Sequence, residues 1–414
     1  MRIQMIDVGS AGWGAELDQI GLRLRHPEEP QLFPYHFLQV TFARIGGRAL
    51  RIYQDERWTG VGFLFPRQRE TDGTHIFTLR CHMFPGHALP PAHELTDGVV
   101  AATGGPPPFV YDAAAEQYYS PTHQTISTVD IGRPSAQEAA AVPSLHQRIW
   151  GSPPEFLYPA DLHSVDFAAG TSLVARAEGL LAGFLIGFYK FGGPTLPADW
   201  HVRFGGDYRL ESQIIGVLPE YRGLRIANLL KKVQAETAWR EGIGIVNWTA
   251  DPLQFPNAAL NFGLLRGVAF DFFPDLYPFR NDLNRVHASR FGLTWLVGSA
   301  RVREAPLIGA PVNMLDLTNH PEIPWANEGH WREYMGITEP MLVFEIPPNW
   351  TTLQQQDMAE AQRWRETTDR VLAHYIGIGE GKYVVTGVAT RGDRRFLVAE
   401  RAEPGLWSQL GTTT

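Results

Sequence analysis

The chain repeats itself, and an internal repeat limits the folds open to it more than any other feature. "MIDVG" at 5–9 returns as "TVDIG" at 128–132, and "PQLFPYHFL" at 30–38 as "PEFLYPADL" at 154–162. "GRALRIYQDERWTGVGFLF" at 47–65 aligns with "TSLVARAEGLLAGFLIGFY" at 171–189, setting Leu50 against Leu173 and Gly60 against Gly183. Farther along, "IFTLRCHMFP" (76–85) falls where "SQIIGVLP" (212–219) stands, and "PFVYDAAAEQYYSP" (108–121) where "VNWTADPLQFPN" (246–257) stands. The order holds throughout, with one longer loop around 190–210 in the second copy. Each copy reads as strand, helix, a meander of strands, helix, strand. Two divergent copies of one α/β unit are therefore expected, at 1–124 and 125–305.

In the second copy "TISTVDIG" reads as a strand and 135–149 as a helix. Residues 224–241 form a second helix, with Ile226, Leu230, Val233 and Thr237 on one face and Lys231, Lys232, Glu236 and Arg240 mostly off it. From about 306 the texture changes to a loop-rich stretch, then the strand "MLVFEIP", a helix over 351–375 and a strand pair around "RGD". The first copy lacks the helix and strand pair that should follow its "FVYD" strand. The 306–414 extension supplies that order and is offered as its completion.

Length and charge narrow the function. With 414 residues the chain exceeds one ordinary core. A net charge of −8 argues against a surface made for nucleic acid. One cysteine, Cys81, excludes an intrachain disulfide and suits a reducing, cytoplasmic setting. No window approaches a membrane span. "CHMFPGHALPPAHE" gathers Cys81, His82, His87 and His93 without paired metal spacing, so no metal is expected.

The chemistry-bearing stretch is "GVLPEYRGLRIANLLKK", 216–232. An apolar strand ends at Pro219, Tyr221-Arg222-Gly223 follows, and a helix begins. Backbone N–H groups at a helix start have no partner inside the helix, and with the helix dipole they favour a pyrophosphate. Gly223 permits close approach, Ala227 leaves room in the first turn, and Arg222 adds a cation. Helical backbone angles do not demand glycine, so Arg225 is expected to sit in the helix start with its side chain swung outward, adding charge beside a diphosphate.

With "WTADPLQFPNAALN" (248–261) at the spacing of the next strand and helix, this stretch resembles the GNAT superfamily of acyl-CoA-dependent N-acyltransferases. The pattern V-x-P-x-[FY]-R-G-x-G-[IL]-[AG] is matched by Val217, Pro219, Tyr221, Arg222, Gly223, Ile226 and Ala227, while Arg225 stands where glycine is usual. The W-T-x-D-P-L…N-A-x-L-N block, "DLYPFRNDLN", "SRFGLTWLV" and the tail "EIPPNWTTLQQQDMAEAQRWRETT" resemble a little-characterised branch of predicted GNAT acyltransferases. The resemblance spans about 125–400. The first copy looks like a degenerate GNAT unit: it reads "GHALPPAHE" after Pro85, and Pro90 and Pro91 remove N–H groups that a cradle needs.

The resemblance implies tandem GNAT-like folds, with mixed, mostly antiparallel sheets flanked by helices and a C-terminal αββ extension. Acetyl-CoA or another acyl-CoA is the implied co-substrate. Ile215, Val217, Leu218 and Trp248 would border the thioester, with backbone amides around Val217–Pro219 polarising its carbonyl. Arg222, Gly223, Leu224, Arg225, Ile226 and Ala227 would hold the pyrophosphate, and Asn257 would meet the pantetheine arm. Glu211 is the preferred base and Asp251 the second candidate. The family's tyrosine acid falls at Gly263, so Tyr277 is the substitute, and Asn281, Asp282 and Asn284 are candidates for the acceptor side. Lys231 and Lys232 read as a solvated helix face. The expected activity is transfer of an acyl group, acetyl first and succinyl as the alternative, to the amine of a small molecule such as an amino acid (EC 2.3.1.-), in a soluble protein for which a homodimer is one candidate assembly. A non-catalytic acyl-CoA-binding scaffold is the competing reading, and a tRNA-dependent aminoacyl transferase the third.

Overall fold

The computed structural model describes residues 1–24, 32–115, 117–277, 285–305 and 311–413. The chain divides into two compact units, Met1–Gly193 with Asp207–Thr237, and Pro194–Gly206 with Ala238–Thr414. Both mix helices with largely antiparallel sheets. No helix among the described residues is long and apolar enough to cross a membrane.

In the first unit, β1 (Arg2–Ile6), β2 (Arg48–Gln54), β3 (Arg57–Arg69), β4 (His75–Met83) and β5 (Phe109–Val110) form a sheet in chain order. Its neighbours run antiparallel except β4 and β5. A second meander follows from β6 (Gln124–Ile126) through β7 (Val129–Gly132), β8 (Ser172–Ala177) and β9 (Leu180–Phe191) to β10 (Tyr208–Val217), antiparallel throughout. The single strand expected at "TISTVDIG" is thus the hairpin β6–β7. Ser127, at φ 58°, turns the chain where an extended strand would have run on.

Helices α1 (Trp13–Arg23), α2 (Ala92–Thr103), α3 (Ala136–Trp150) and α4 (Ile226–Arg240) complete this unit's recurring order. Ser135 and Glu138 form a reciprocal capping box that starts α3 where the sequence reading put it. Phe33, Phe37, Phe42, Phe65, Phe167, Phe184 and Phe188 share one apolar cluster with Trp13 and Ile20, so both repeats contribute to a single core. A second cluster sets Ile226, Leu229, Leu230 and Val233 of α4 against Leu173, Ala175 and Leu185.

The second unit holds β11 (Ile245–Ala250), β12 (Val268–Tyr277), β13 (Ala288–Leu296), β14 (Leu315–Asp316), the short hairpin β15 (Asn327–Glu328) and β16 (Arg332–Glu333), β17 (Met341–Ile346), β18 (Tyr383–Arg391) and β19 (Arg394–Arg401). Its main sheet runs β17-β19-β18-β12-β13-β11, and β14 lies parallel to β18. The tail offered as a completion of the first copy is built into this sheet instead: Val385 of β18 pairs with Ala269 of β12. Val384, Leu406 and Leu410 from the tail join Ile245, Val268, Phe270 and Leu296 in one core, burial that the β1–β5 sheet does not receive.

The helix expected at 351–375 is two helices, α5 (Trp350–Gln356) and α6 (Met358–Tyr375). Asp357 breaks them: its extended backbone ends α5, and its carboxylate caps α6 by accepting from the Glu360 amide at 2.9 Å. Asp357→Ala is expected to lower stability by about 1 kcal/mol, read from the urea midpoint at an unchanged slope.

Candidate functional site

Two groups of the sequence-selected residues are described, one in each unit. In the first, β10 ends at Val217 and the chain enters a 3₁₀ turn, Pro219–Leu224, before α4. Arg222, Gly223, Leu224 and Arg225 are exposed, and a Cβ built on Gly223 would meet nothing within 4 Å. The space above the turn is open, as close approach by a ligand requires. Of the amides around Val217–Pro219, two are out of play: Leu218 donates to the Ala182 carbonyl at 2.9 Å, and Pro219 has no N–H.

Arg225 departs from expectation. It lies outside the helix start, in the left-handed region at φ 56°, ψ 28°, and joins the 3₁₀ turn to α4. This conformation favours glycine, because a Cβ there crowds the following carbonyl at about 1 kcal/mol or more. Glycine is the residue type this backbone favours, and here an arginine adopts it.

Ile215, partly buried, packs against the Ile226 and Leu230 cluster and has an apolar supporting role. Just before it, β10 carries a bulge between Ser212 and Ile214, and the Gln213 side chain donates to the Tyr158 hydroxyl at 3.0 Å. Glu211 is buried and held by Lys190 Nζ at 2.6 Å. Burial pushes its carboxyl pKa up, but Lys190, Arg44 and Lys231 outweigh that and hold it below the ordinary value. A carboxylate so placed is an anchor. It is neither the solvated strand-end group nor a base poised near neutrality. Lys231 is also buried, with its ammonium on Ser212 Oγ at 2.7 Å, so only Lys232 of the pair lies toward solvent, 3.9 Å from Glu236.

In the second unit, the motif blocks "WTADP" and "NWTT…RWR" meet at one carboxylate. Asp251 follows β11 and accepts both contacts from Arg365 Nη2 of α6, each at 2.8 Å. Trp350 Nε1, the first residue of α5, donates to it at 3.2 Å, and the Leu253 amide at 2.9 Å. Arg290 Nη1 of β13 stands 3.6 Å away. Burial raises the Asp251 pKa, yet the two guanidiniums win and it stays below the usual carboxylate range. Asp251 thus fastens the tail as well as shaping its own turn through the Leu253 amide, and its ion pairs oppose the base role.

Tyr277 ends β12 with its hydroxyl 3.1 Å from Thr249 Oγ1, and Arg290 lies 5.4 Å from its ring centroid. The structure therefore brings Tyr277 and Asp251 to one cluster. Sequence reasoning missed a further member, Asp369, one helical turn beyond Arg365. Its Oδ2 accepts from Ser289 Oγ at 2.6 Å and its Oδ1 lies 3.7 Å from Arg365 Nη1. Burial pushes its pKa up to about 6, against the pull of Arg365. The i, i+4 spacing to Arg365 was the available signal.

Trp248 is buried edge-on to Trp295, centroids 5.8 Å apart. Asn257 is exposed in the short helix Phe255–Ala258. Gly263 explains its own missing tyrosine: a Cβ there would stand 2.5 Å from Val312 Cγ1 and 3.5 Å from Val388 of β18. The tail occupies the space a larger side chain needs. Asn281, Asp282 and Asn284 lie outside the described residues. On β4, Cys81 and His82 are successive residues that point to opposite faces, and burial pushes the thiol up to about 12.

No family model matches the chain, and neither does any curated protein. Over about two-fifths of its length, the chain resembles solved acetyltransferases of the GNAT family. One is the ribosomal-protein-S18-alanine N-acetyltransferase of Escherichia coli, at 13% identity over 42% of this chain and 96% of that one, TM-score 0.30. An acetyltransferase of GNAT family from Streptococcus pneumoniae matches at 13% over 41% and 99%, TM-score 0.31. Diaminobutyrate acetyltransferase from Paenibacillus lautus, solved with L-2,4-diaminobutyric acid and coenzyme A, matches at 17% over 41% and 95%, TM-score 0.29.

Two substitutions test these assignments. Asp251→Asn leaves two buried guanidiniums short of charge and is expected to cost about 3 kcal/mol, measured by denaturant unfolding. Arg225→Gly removes left-handed strain and is expected to raise stability by about 1 kcal/mol in the same assay, a gain absent if the turn were helical.

Proposed function

We propose that this chain is an acyl-CoA-dependent N-acyltransferase acting on the amine of a small molecule. The observation that carries the reading is the open turn Pro219–Ala227, where exposed Arg222 and left-handed Arg225 lead into the start of a helix, a setting that suits a diphosphate. In the reaction the amine nitrogen bonds to the thioester carbonyl carbon and the C–S bond breaks. Amide and thiol are the products, and the amine's proton ends on sulfur. Glu211 and Asp251, each tied in ion pairs, are anchors in this scheme. Acetyl is the donor group we propose first, and amino acids the acceptors.

A non-catalytic acyl-CoA-binding protein is the second reading, favoured by the filled space at Gly263 and the absence from both anchors of a poised base. Turnover separates the two. Release of free thiol from acetyl-CoA with an amine panel is expected for the enzyme, and release no faster than the uncatalysed rate establishes the scaffold. Gly223→Trp fills the open space over the turn and is expected to abolish coenzyme A binding by calorimetry; undiminished affinity places the site elsewhere.

A further inference from the structure

Of 36 basic residues only four are lysines, Lys190, Lys231, Lys232 and Lys382, which leaves 32 arginines. Two of the four, Lys190 and Lys231, are buried in the first unit at 1% and 3% exposure. The distinction is chemical: arginine stays charged in any protein environment, whereas a buried lysine can lose its proton. Lys190 is committed to Glu211. Lys231 donates to two neutral groups, Ser212 Oγ and Gln234 Oε1.

Lys231 lies on α4 five residues past Ile226, about 7.5 Å along the axis from the open turn. Its Nζ donates to Ser212 Oγ of β10 at 2.7 Å and to Gln234 Oε1 at 3.3 Å. Ser212 borders the β10 bulge. Gly187 of β9 makes room for this arrangement, since a Cβ there would stand 2.9 Å from Gln234 Nε2. Lys231 thus ties the helix that carries the turn to the strand that leads into it. Among charged groups around it, Glu211 of β10 attracts the ammonium. That carboxylate is itself shared with Lys190 of β9 and faces Arg44, with Arg209 also near Lys190, and Lys232 and Glu236 of α4 pair farther out. Desolvation outweighs Glu211 and brings Lys231 down to about 7, where physiological pH divides the two charge states.

We propose that Lys231 is a positioning residue that couples ligand binding at the Pro219–Ala227 turn to the uptake of one proton. The inference rests on the acyl-CoA reading of that turn. A diphosphate at the N-terminus of α4 favours the ammonium, and the ammonium, with three protons to donate, holds α4 on Ser212 and Gln234. Coupling of this kind is reciprocal, so protonation tightens ligand binding by the same factor. Opposite charges about 10 Å apart at an effective dielectric of about 20 interact by roughly one pKa unit, equivalent to about tenfold in affinity. Affinity from this group is therefore high below pH 7 and falls as Lys231 deprotonates above it.

The test uses the full chain, ¹³C-labelled at lysine Cε, with free coenzyme A as the probe. One of the four lysine signals is expected to titrate near pH 7 without ligand and to move to higher pH when coenzyme A is added. By calorimetry, the fall in affinity between pH 6 and pH 8.5 should be about tenfold larger in wild type than in Lys231→Met, a comparison that cancels titration of the ligand's own phosphate. Lys231→Arg, charged throughout, should lose this extra dependence while keeping the tighter affinity. The proposal is overturned if no lysine titrates between pH 6 and 8.5, or if wild type and Lys231→Met share one pH dependence. If coenzyme A fails to bind at any pH, the acyl-CoA reading falls and the coupling with it; a lysine still titrating near pH 7 would then locate the failure in that reading.

Discussion

A single buried carboxylate organises the second unit. Asp251 is held by Arg365, Trp350, Arg290 and the Leu253 amide, and these partners come from β13, the tail helices and the turn after β11. A buried ion pair has to offset the desolvation of both charges, and it does so only when the remaining lone pairs and protons are hydrogen-bonded. Asp251 meets that condition with three hydrogen-bond donors, Arg365, Trp350 and the Leu253 amide, and with Arg290 close by. Around it, the tail becomes part of the sheet through β18 on β12, and the same packing fills the space over Gly263.

The first unit repeats that logic around Glu211 and Lys190. Two buried ions at 2.6 Å, flanked by Arg44, hold β9 against β10 ahead of the bulge. Both carboxylates singled out as bases are thus consumed by architecture. The general point is one of cost: a charge buried beside a full complement of partners is stabilised in its ionised form, whereas a base working near neutrality needs a pKa close to the operating pH. Asp369, pushed up to about 6, and Lys231, brought down to about 7, are the groups whose surroundings leave that choice open.

Much of the architecture was legible from residue order. Apolar alternation marked the meanders, the helix expected over 135–149 is α3, and the Pro219–Gly223 stretch marked the turn before α4. These are local signals, set by neighbours within a few residues. The misreadings were of another kind. Ser127 and Asp357 broke a strand and a helix that periodicity alone would have continued, and Lys231, placed on the polar side of a helical wheel, is covered by β10.

By itself the sequence determined the mixed α/β class and the existence of an exposed Arg-Gly turn at a helix start. Hydrophobic periodicity and turn chemistry act over short spans, so a single chain displays them openly. Only the tertiary structure decided that the tail joins β12, that Asp251 and Glu211 are ion-paired, and that Arg225 is left-handed. Each of these depends on what stands opposite a residue in space, and the energies involved, desolvation against pairing and strain against packing, are set by partners more than 100 positions away along the chain, as with Asp251 and Arg365 at a separation of 114.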